Sequence, residues 1–349
     1  VSEFGFKMHA PAPKRRSLAR FLVALAVVLS IGAFSLLRVF SGPDDFAENT
    51  QGAKTAVTIE TGDSLTTIGR KLHEAGVVAS VTAFVQASDA NPKSRYITPG
   101  DYKLPTHVPA GTALSLLLSG EARDELKIVI PEGSRATEVY AIVAKKLGLD
   151  LAAVRSAFLA TDLPPSADGR IEGYLFPATY AVKRSATAGD VAKMMVARFR
   201  QAASDLELER RARAGQMSVH DIMVIASLLE QEAAPRDFSK VARVVLNRIE
   251  RGMPLQLDST VNYGLGTNDL RLSQSQLNKD TAFNTYVHTG LPPTPIGNPG
   301  TDAIEAALSP ARGPWLYFVT TDPKRRITEF ATTYEEFLSL KAKFNRNVA

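Results

Sequence analysis

The first stretch of the chain is its most one-sided. From Phe21 to Leu37 there is no charged residue, and Leu18, Ala19, Val39 and Phe40 extend the apolar run at both ends. As a helix the uncharged part rises about 25 Å, and its flanks bring it close to the roughly 30 Å of a hydrocarbon core. Lys14, Arg15, Arg16 and Arg20 precede the run and Arg38 closes it. The pattern predicts a cytoplasmic tail over 1–20, a transmembrane helix over 21–40 and all later residues outside the cell membrane, because basic flanks stay on the cytoplasmic side. A cleaved signal peptide is the alternative, but its apolar core is usually about 7–15 residues and ends in a small-x-small site, which does not follow here. The polar segment 41–54 (SGPDDFAENTQGAK) reads as a linker.

Beyond the linker the period shortens. Val57 and Ile59 alternate with polar residues as a strand, Gly62 turns the chain, and Asp63 or Ser64 can cap a helix bearing Leu65, Ile68, Gly69 and Leu72. The same order recurs weakly. Lys127 to Pro131 (KIVIP) is the strand, Gly133 the turn and Ser134 or Thr137 the cap, before a helix face of Val139, Ile142, Val143 and Leu147. Between these units, 96–106 (YITPGDYKLPT) predicts two short strands about the Pro99-Gly100 turn, and 111–120 predicts a helix ended by glycine. The fold expected is α+β: a small domain over 55–122, an intermediate α/β segment over 123–215 and a mixed α+β catalytic domain over 216–349.

The most informative helix begins at Ser218. Ser218 and Asp221 have capping spacing, and no Gly or Pro interrupts the run until Pro235. Ile222, Ala226, Leu229 and Ala233 form one apolar stripe, and Val224, Ile225 and Leu228 widen it, so the helix should be largely buried. Glu230 and Glu232 enter that apolar setting. Burial raises a carboxyl pKa, which suits a general acid near neutral pH. Either glutamate could instead be structural, held by Arg236, Arg243 or Arg248. Two glutamates on one apolar helix favour catalysis for at least one of them.

Other segments carry candidate binding chemistry. Glu172 lies in IEGYLFPA beside Tyr174, Phe176 and Tyr180, where rings can stack on sugar faces and a carboxylate can accept hydroxyls. A structural strand with Glu172 paired to Arg170 is the competing reading. After an amphipathic helix over 238–251, stopped by Gly252, come Gln256, Asp258, Asn262 and Tyr263, then Asn284-Thr285-Tyr286. The Pro-rich run 290–300 (GLPPTPIGNPG) fixes backbone angles, as a binding loop or a rigid connection requires. Near the end, 315–319 (WLYFV) predicts a strand and Thr333-x-x-Glu336 opens a last helix.

Charge and composition narrow the class. The 349 residues carry a net charge of +5 and no cysteine, so a disulfide scaffold or thiolate metal site is excluded. Residues 1–40 contain six Lys or Arg and one acid, which accounts for the whole +5, and the remainder is neutral. The basic balance is a topology signal, and no reason to invoke nucleic acid remains. His9, His73, His107, His220 and His288 have no ligand spacing, and no Gly-rich phosphate loop follows a strand, so neither metal nor cofactor is implied.

Two resemblances add to this reading. GDSLTTIGRKL resembles the opening of a LysM-type glycan-binding unit, although the same residues suit any strand-to-helix turn. ASLLEQE (226–232), VLNR (245–248), LQLD (255–258), Tyr263-Gly264, Asn284-Thr285-Tyr286, GLPPTPIGNPG and Tyr317-Phe318-Val319 closely resemble the YceG-like family, the endolytic murein transglycosylases. The resemblance covers nearly the whole chain and includes EGYLFPATY. It departs at Ser259, often Pro in the family, and near Thr328-Glu329-Phe330, where many members have a His that this chain lacks.

The resemblance implies that Glu230, the first acid of the Glu-x-Glu pair, is the catalytic acid and later base. It implies a membrane-anchored enzyme acting on peptidoglycan glycan strands, cleaving the bond between N-acetylmuramic acid and N-acetylglucosamine to leave 1,6-anhydro ends and so ending glycan elongation. Glu232, Gln256, Asp258, Tyr263, Asn284, Tyr286 and Glu172 are the candidate substrate contacts. Peptidoglycan synthases are candidate partners. Hydrolysis of the same bond, with Glu232 or Asp258 as second carboxylate, and non-catalytic cell-wall binding are the alternatives.

Overall fold

A computed structural model describes residues 22–30 and 44–348. Residues 22–30 are helical, within the expected membrane span; the rest of that span, the expected tail and the first residues of the linker lie outside the described residues. Among the described residues no helix is long and apolar enough to cross a membrane. The fold of the described residues is mixed α+β, mostly helical, with three two-stranded antiparallel sheets among them. It divides into two compact units between Asp124 and Glu125.

In the first unit β1 (Lys54–Ile59) pairs with β2 (Gly100–Pro105), Val57 opposite Tyr102. Helices Leu65–Glu74 and Val81–Asp89 lie between them in sequence, and Ala110–Ser119 follows, stopped by Gly120 in the left-handed region. Ser64 caps the first helix by accepting from Thr67 N. Leu72, Phe84, Tyr102, Leu104 and Leu117 form the centre of the core. The two strands expected over 96–106 are one. Pro92–Tyr96 is a 3-10 turn, with Asn91 accepting from Lys93 N, so extended structure starts only at Gly100.

The second unit repeats that order. β3 (Glu125–Val129) and β4 (Thr179–Lys183) pair antiparallel, and helices Ala136–Leu147 and Leu151–Leu159 come between them. The weak internal repeat is therefore a repeated strand-helix-helix-strand topology, with Gly62 (φ 93°) and Gly133 (φ 74°) at corresponding turns. The strand lies two residues earlier than expected, because Pro131 has no N–H with which to continue the ladder. The helix cap falls on Arg135, whose N–H donates to Glu138; Ser134 instead turns its hydroxyl back to Pro131 O.

Two cores follow. Ile128, Val139, Val143, Phe158 and Leu175 pack beneath β3 and β4. Ile222, Met223, Ile225, Ala226, Leu229, Val241 and Ile304 pack around helix Val219–Glu232. Helix Ala188–Asp205 joins the cores, with Val191 and Met195 in the first and Phe199 and Ala202 in the second. Phe238–Glu250, Asp258–Leu265 and Thr301–Leu308 are the other helices nearest the site. A hairpin of β5 (Tyr317–Asp322) and β6 (Ile327–Ala331) leads into the last helix, Tyr334–Val348, where Thr333 and Glu336 cap reciprocally.

Candidate active site

The Val219–Glu232 helix begins as its sequence demands: Ser218 accepts from Asp221 N, and Asp221 accepts from Ser218 N. Every side chain from Ile222 to Leu229 is buried. At roughly 1.5–3 kcal/mol for each large apolar side chain removed from water, this is the best-anchored helix of the unit. Glu230 is the first residue of its last turn to regain partial exposure. Because Glu230 and Glu232 are two residues apart, they point about 200° apart around the axis. Each meets the start of a different short helix. Glu230 Oε1 accepts from Gly300 N at 2.8 Å, at the cap of Thr301–Leu308. Glu232 accepts from Ser259 Oγ, in the first turn of Asp258–Leu265.

A helix N-terminus favours an anion, yet burial prevails for both groups. Glu230 is pushed up to about 7, chiefly by burial and further by the negative charges of Glu132 and Asp302, against the Gly300 N–H. Glu232 is raised by burial and by Asp258, against the Ser259 hydroxyl. A carboxyl near 7 can give up a proton and take one back at neutral pH, as an acid that becomes a base must. The arginines considered as structural partners are engaged elsewhere: Arg236 with Asp237, Arg243 with Ala311 O and Glu250, Arg248 with backbone carbonyls.

Three glycines allow the close approach around Glu230. A Cβ on Gly297 would lie 2.5 Å from Gly133 O, and one on Gly300 would lie 2.0 Å from Glu132 Oε1. Gly133 N donates to Asn298 O at 2.8 Å, and Gln231 Nε2 donates to Gly133 O at 2.9 Å. The β3-to-helix turn is thereby closed onto both the Glu230 helix and the Pro-rich loop. Glu132, exposed and beside Gly300, is a carboxylate that sequence reasoning passed over. Its only local signal is its place in the short link between β3 and the Gly133 turn.

Behind this closure is a buried brace. Glu172 accepts from Ala136 N (2.9 Å), Tyr263 OH (3.0 Å) and Asn298 Nδ2 (3.2 Å), and burial lifts its pKa to about 7. It does not pair with Arg170, which donates to Pro293 O. The segment around Glu172 consists of turns, so the alternative of a strand there fails too. Asn298 is completely buried, its Oδ1 accepting from Leu175 N and its Nδ2 also donating to Ser134 O. Asn298 is the second residue that sequence reasoning left unnamed within GLPPTPIGNPG.

The remaining candidates separate. Glu232, Gln256, Asp258 and Tyr286 line a cavity of about 390 Å³, with Phe318 and Phe337 on its wall. Asp258 accepts from Tyr286 OH at 2.6 Å. Asn284 is completely buried, donating to Leu277 O and Lys279 O and accepting from Tyr286 N. Its amide holds its own loop, and Asn284 is not among the residues lining the cavity of Glu232 and Gln256. A larger cavity of about 670 Å³, lined by Pro164, Phe199, Arg200 and Arg213, contains none of the candidates. Among the described residues no cluster of three or more His, Asp or Glu could hold a metal ion.

Comparison with known proteins places this arrangement among relatives. The profile of the YceG-like family matches residues 57–343. An endolytic murein transglycosylase of Bacillus subtilis is 30% identical over 313 residues, covering 84% of this chain and 86% of its own. An endolytic murein transglycosylase of Streptococcus pneumoniae is 28% identical over 334 residues, covering 86% of this chain but only 60% of its own length. The crystal structure of a YceG-like protein of Listeria monocytogenes superposes with a TM-score of 0.57 at 28% identity, covering 83% of this chain and 99% of that one.

Proposed function

Because the chain belongs to the YceG-like family, we propose that it is an endolytic murein transglycosylase that uses Glu230 as its single acid and base. The observation that carries this reading is the setting of Glu230: at the exposed end of a buried helix, against Gly300 N–H and beside Glu132, with its pKa lifted to about 7. Protonated Glu230 gives its proton to the oxygen between N-acetylmuramic acid and N-acetylglucosamine as the bond from that oxygen to the anomeric carbon breaks. The oxocarbenium-like centre is shielded by the sugar's own acetamido group. Carboxylate Glu230 then removes the proton of the C6 hydroxyl, whose oxygen bonds to the anomeric carbon. The product has a 1,6-anhydro end, Glu230 is protonated again, and no water is consumed.

Glu132 helps by opposing ionisation of Glu230, keeping the acid form populated near neutral pH. The exposed carboxylate of Glu132 also favours one second reading, hydrolysis, since two-carboxylate glycosidases need a partner acid beside the first. In the proposed setting the enzyme acts outside the cell membrane, held there by the basic-flanked apolar run over 21–40, and ends nascent glycan strands, near peptidoglycan synthases. The strand-helix-helix-strand order of the first unit supports a LysM-like role in holding glycan. The test is mass analysis of products from purified glycan strands. Anhydro ends from wild type and none from Glu230→Gln support the reading. Reducing ends heavier by one water establish hydrolysis, and full activity of Glu230→Gln refutes both.

A further inference from the structure

We propose that Ser227 is a positioning residue for the Glu230 reaction: its buried hydroxyl fixes segment 296–300 along the helix and so sets where Gly300 meets Glu230. This deepens the functional reading and rests on it. Among the described residues three hydrogen bonds tie the Pro-rich loop to the Val219–Glu232 helix, and they run in step along both. His220 Nε2 donates to Pro293 O at 3.1 Å, Ser227 Oγ accepts from Ile296 N at 3.0 Å, and Glu230 Oε1 accepts from Gly300 N at 2.8 Å. The loop therefore follows the helix for about 15 Å, from His220 to Glu230.

Only the middle bond is independent of protonation. His220 and Glu230 carry titratable side chains, and Glu230 gives up and regains a proton in each turnover. A segment held there by Glu230 alone would follow the carboxyl as it changed. The hydroxyl of Ser227 does not ionise at neutral pH, and the residue is completely buried. Its own proton goes to Val224 O at 2.7 Å, which leaves its lone pairs for Ile296. Ser227 lies three residues before Glu230, so the two side chains are neighbours on the helix surface.

Nothing local asks for serine at this position. The other residues from Ile222 to Leu229 are buried and apolar, and alanine is the better helix former in a helix interior. What serine adds is an acceptor for Ile296 N, which is buried and has no other partner among the described residues. Pro295 and Pro299 fix backbone angles on either side, and Gly297 leaves no room for a side chain against Gly133 O, so little displacement can be absorbed between Ile296 and Gly300. Asn298 secures the segment to Ser134 and Leu175, on the β3 side. Only Ser227 secures it to the Glu230 helix without a titratable group. The segment acts on Glu230 in two ways: it adds to the burial that raises the carboxyl, the larger effect, and it supplies the Gly300 N–H that lowers it. Loosening it admits water and weakens both, so Glu230 then ionises at lower pH. Glu132, in the β3 turn, and Asp302, on the Thr301–Leu308 helix, are the charges that face Glu230.

The experiment compares Ser227→Ala and Ser227→Thr with wild type, each as the full chain in detergent, on purified uncross-linked glycan strands. Alanine loses the acceptor. Its kcat should fall about ten- to a hundredfold with KM within about twofold, as a misplaced acid and not a lost substrate contact requires. The alkaline limb of kcat should move down by about half a pH unit or more. Threonine keeps a hydroxyl that can still bond the preceding turn, but it forces a methyl into a packed core. It should melt below wild type, yet keep kcat within about threefold and leave the limb in place, a separation of rate from stability that a merely structural role does not give. Hydrogen exchange of the 296–300 amides, read by mass spectrometry, should quicken about tenfold in Ser227→Ala and not in Ser227→Thr. Ser227→Cys, close to serine in size but a weaker acceptor, should fall between wild type and alanine in all three readouts, and it replaces threonine if the methyl prevents folding. Unchanged kcat and limb in Ser227→Ala, exchange no faster than in wild type, or rates that merely track melting temperature across the variants would overturn the positioning role. A wild-type chain that releases no fragments overturns the proposed activity instead, and exchange at 296–300 then still decides whether Ser227 holds the loop.

Discussion

Replacing Glu230 by Gln should make the protein more stable at pH 8 and no more stable at pH 4. An unfolded glutamate ionises near 4.5, while Glu230 in the folded chain ionises near about 7. Between those values the unfolded chain has lost its proton and the folded chain still holds it. Each pH unit in that window moves the balance towards unfolding by about 1.4 kcal/mol. The penalty is absent below 4.5, grows through the window and is complete above 7, where it reaches roughly 3 kcal/mol. Glutamine has the same shape, cannot ionise, and its Oε1 can still accept from Gly300 N. Partial exposure of Glu230 lets water and side-chain movement relieve part of the penalty, so a gain of about 1–3 kcal/mol is expected at pH 8. For a folded unit of this size that is roughly 3–10 °C in melting temperature. Thermal melts of both proteins between pH 4 and pH 9, followed by circular dichroism, measure it. A Glu230→Gln protein that melts with or below wild type at pH 8, or whose advantage persists at pH 4, would refute the claim that burial raises this carboxyl. The same substitution should abolish strand cleavage, a trade of function for stability typical of a strained catalytic group.

Further outcomes concern the groups around that acid. Glu132→Gln removes a negative charge that opposes ionisation of Glu230, so the alkaline limb of kcat/KM should move to lower pH; a limb that stays in place excludes the role given to Glu132. Gly297→Ala puts a methyl 2.5 Å from Gly133 O, and separating two backbones should cost about 1–3 kcal/mol and most of the activity, read from melts and turnover together. Asn298→Ala strands Leu175 N and removes a donor from Glu172. It should lower stability by about 2–4 kcal/mol, seen as a lower urea midpoint, and wild-type behaviour would show the brace to be dispensable.

What could be read in advance was local. The Ser218–Asp221 cap, the apolar stripe and Pro235 define a helix within a single segment, so the Val219–Glu232 boundaries fall within a residue of expectation. The direction taken by a polar side chain is not local. Asn284 has the look of a binding amide but bonds inward to Leu277 O and Lys279 O. Glu132 and Asn298 drew no attention because their significance lies in contacts far along the chain. GLPPTPIGNPG was legible as rigid, but its buried part, 294–300, packs between the Glu230 helix and the β3 turn, which its composition does not specify. At 96–106 the turn expected at Pro99-Gly100 does not form: Asn91-Pro92 upstream commits the chain to a tight turn over Pro92–Tyr96, and Gly100 opens the single strand.

The bond from Asn298 to Ser134 spans 164 residues, and that distance has a consequence in time. A chain is made from its N-terminus, and contacts so distant in sequence must wait for their partner to be synthesised and for a long loop to close. Until residue 300 has emerged, the 294–300 segment and the closed turn at Gly133 are not packed beside Glu230, and the burial that holds its proton is incomplete. A chain ending before residue 300 lacks the segment that packs beside Glu230, so that carboxyl is less buried and less able to keep its proton at neutral pH. The order of synthesis itself keeps the acid inactive until nearly all of the chain has been made.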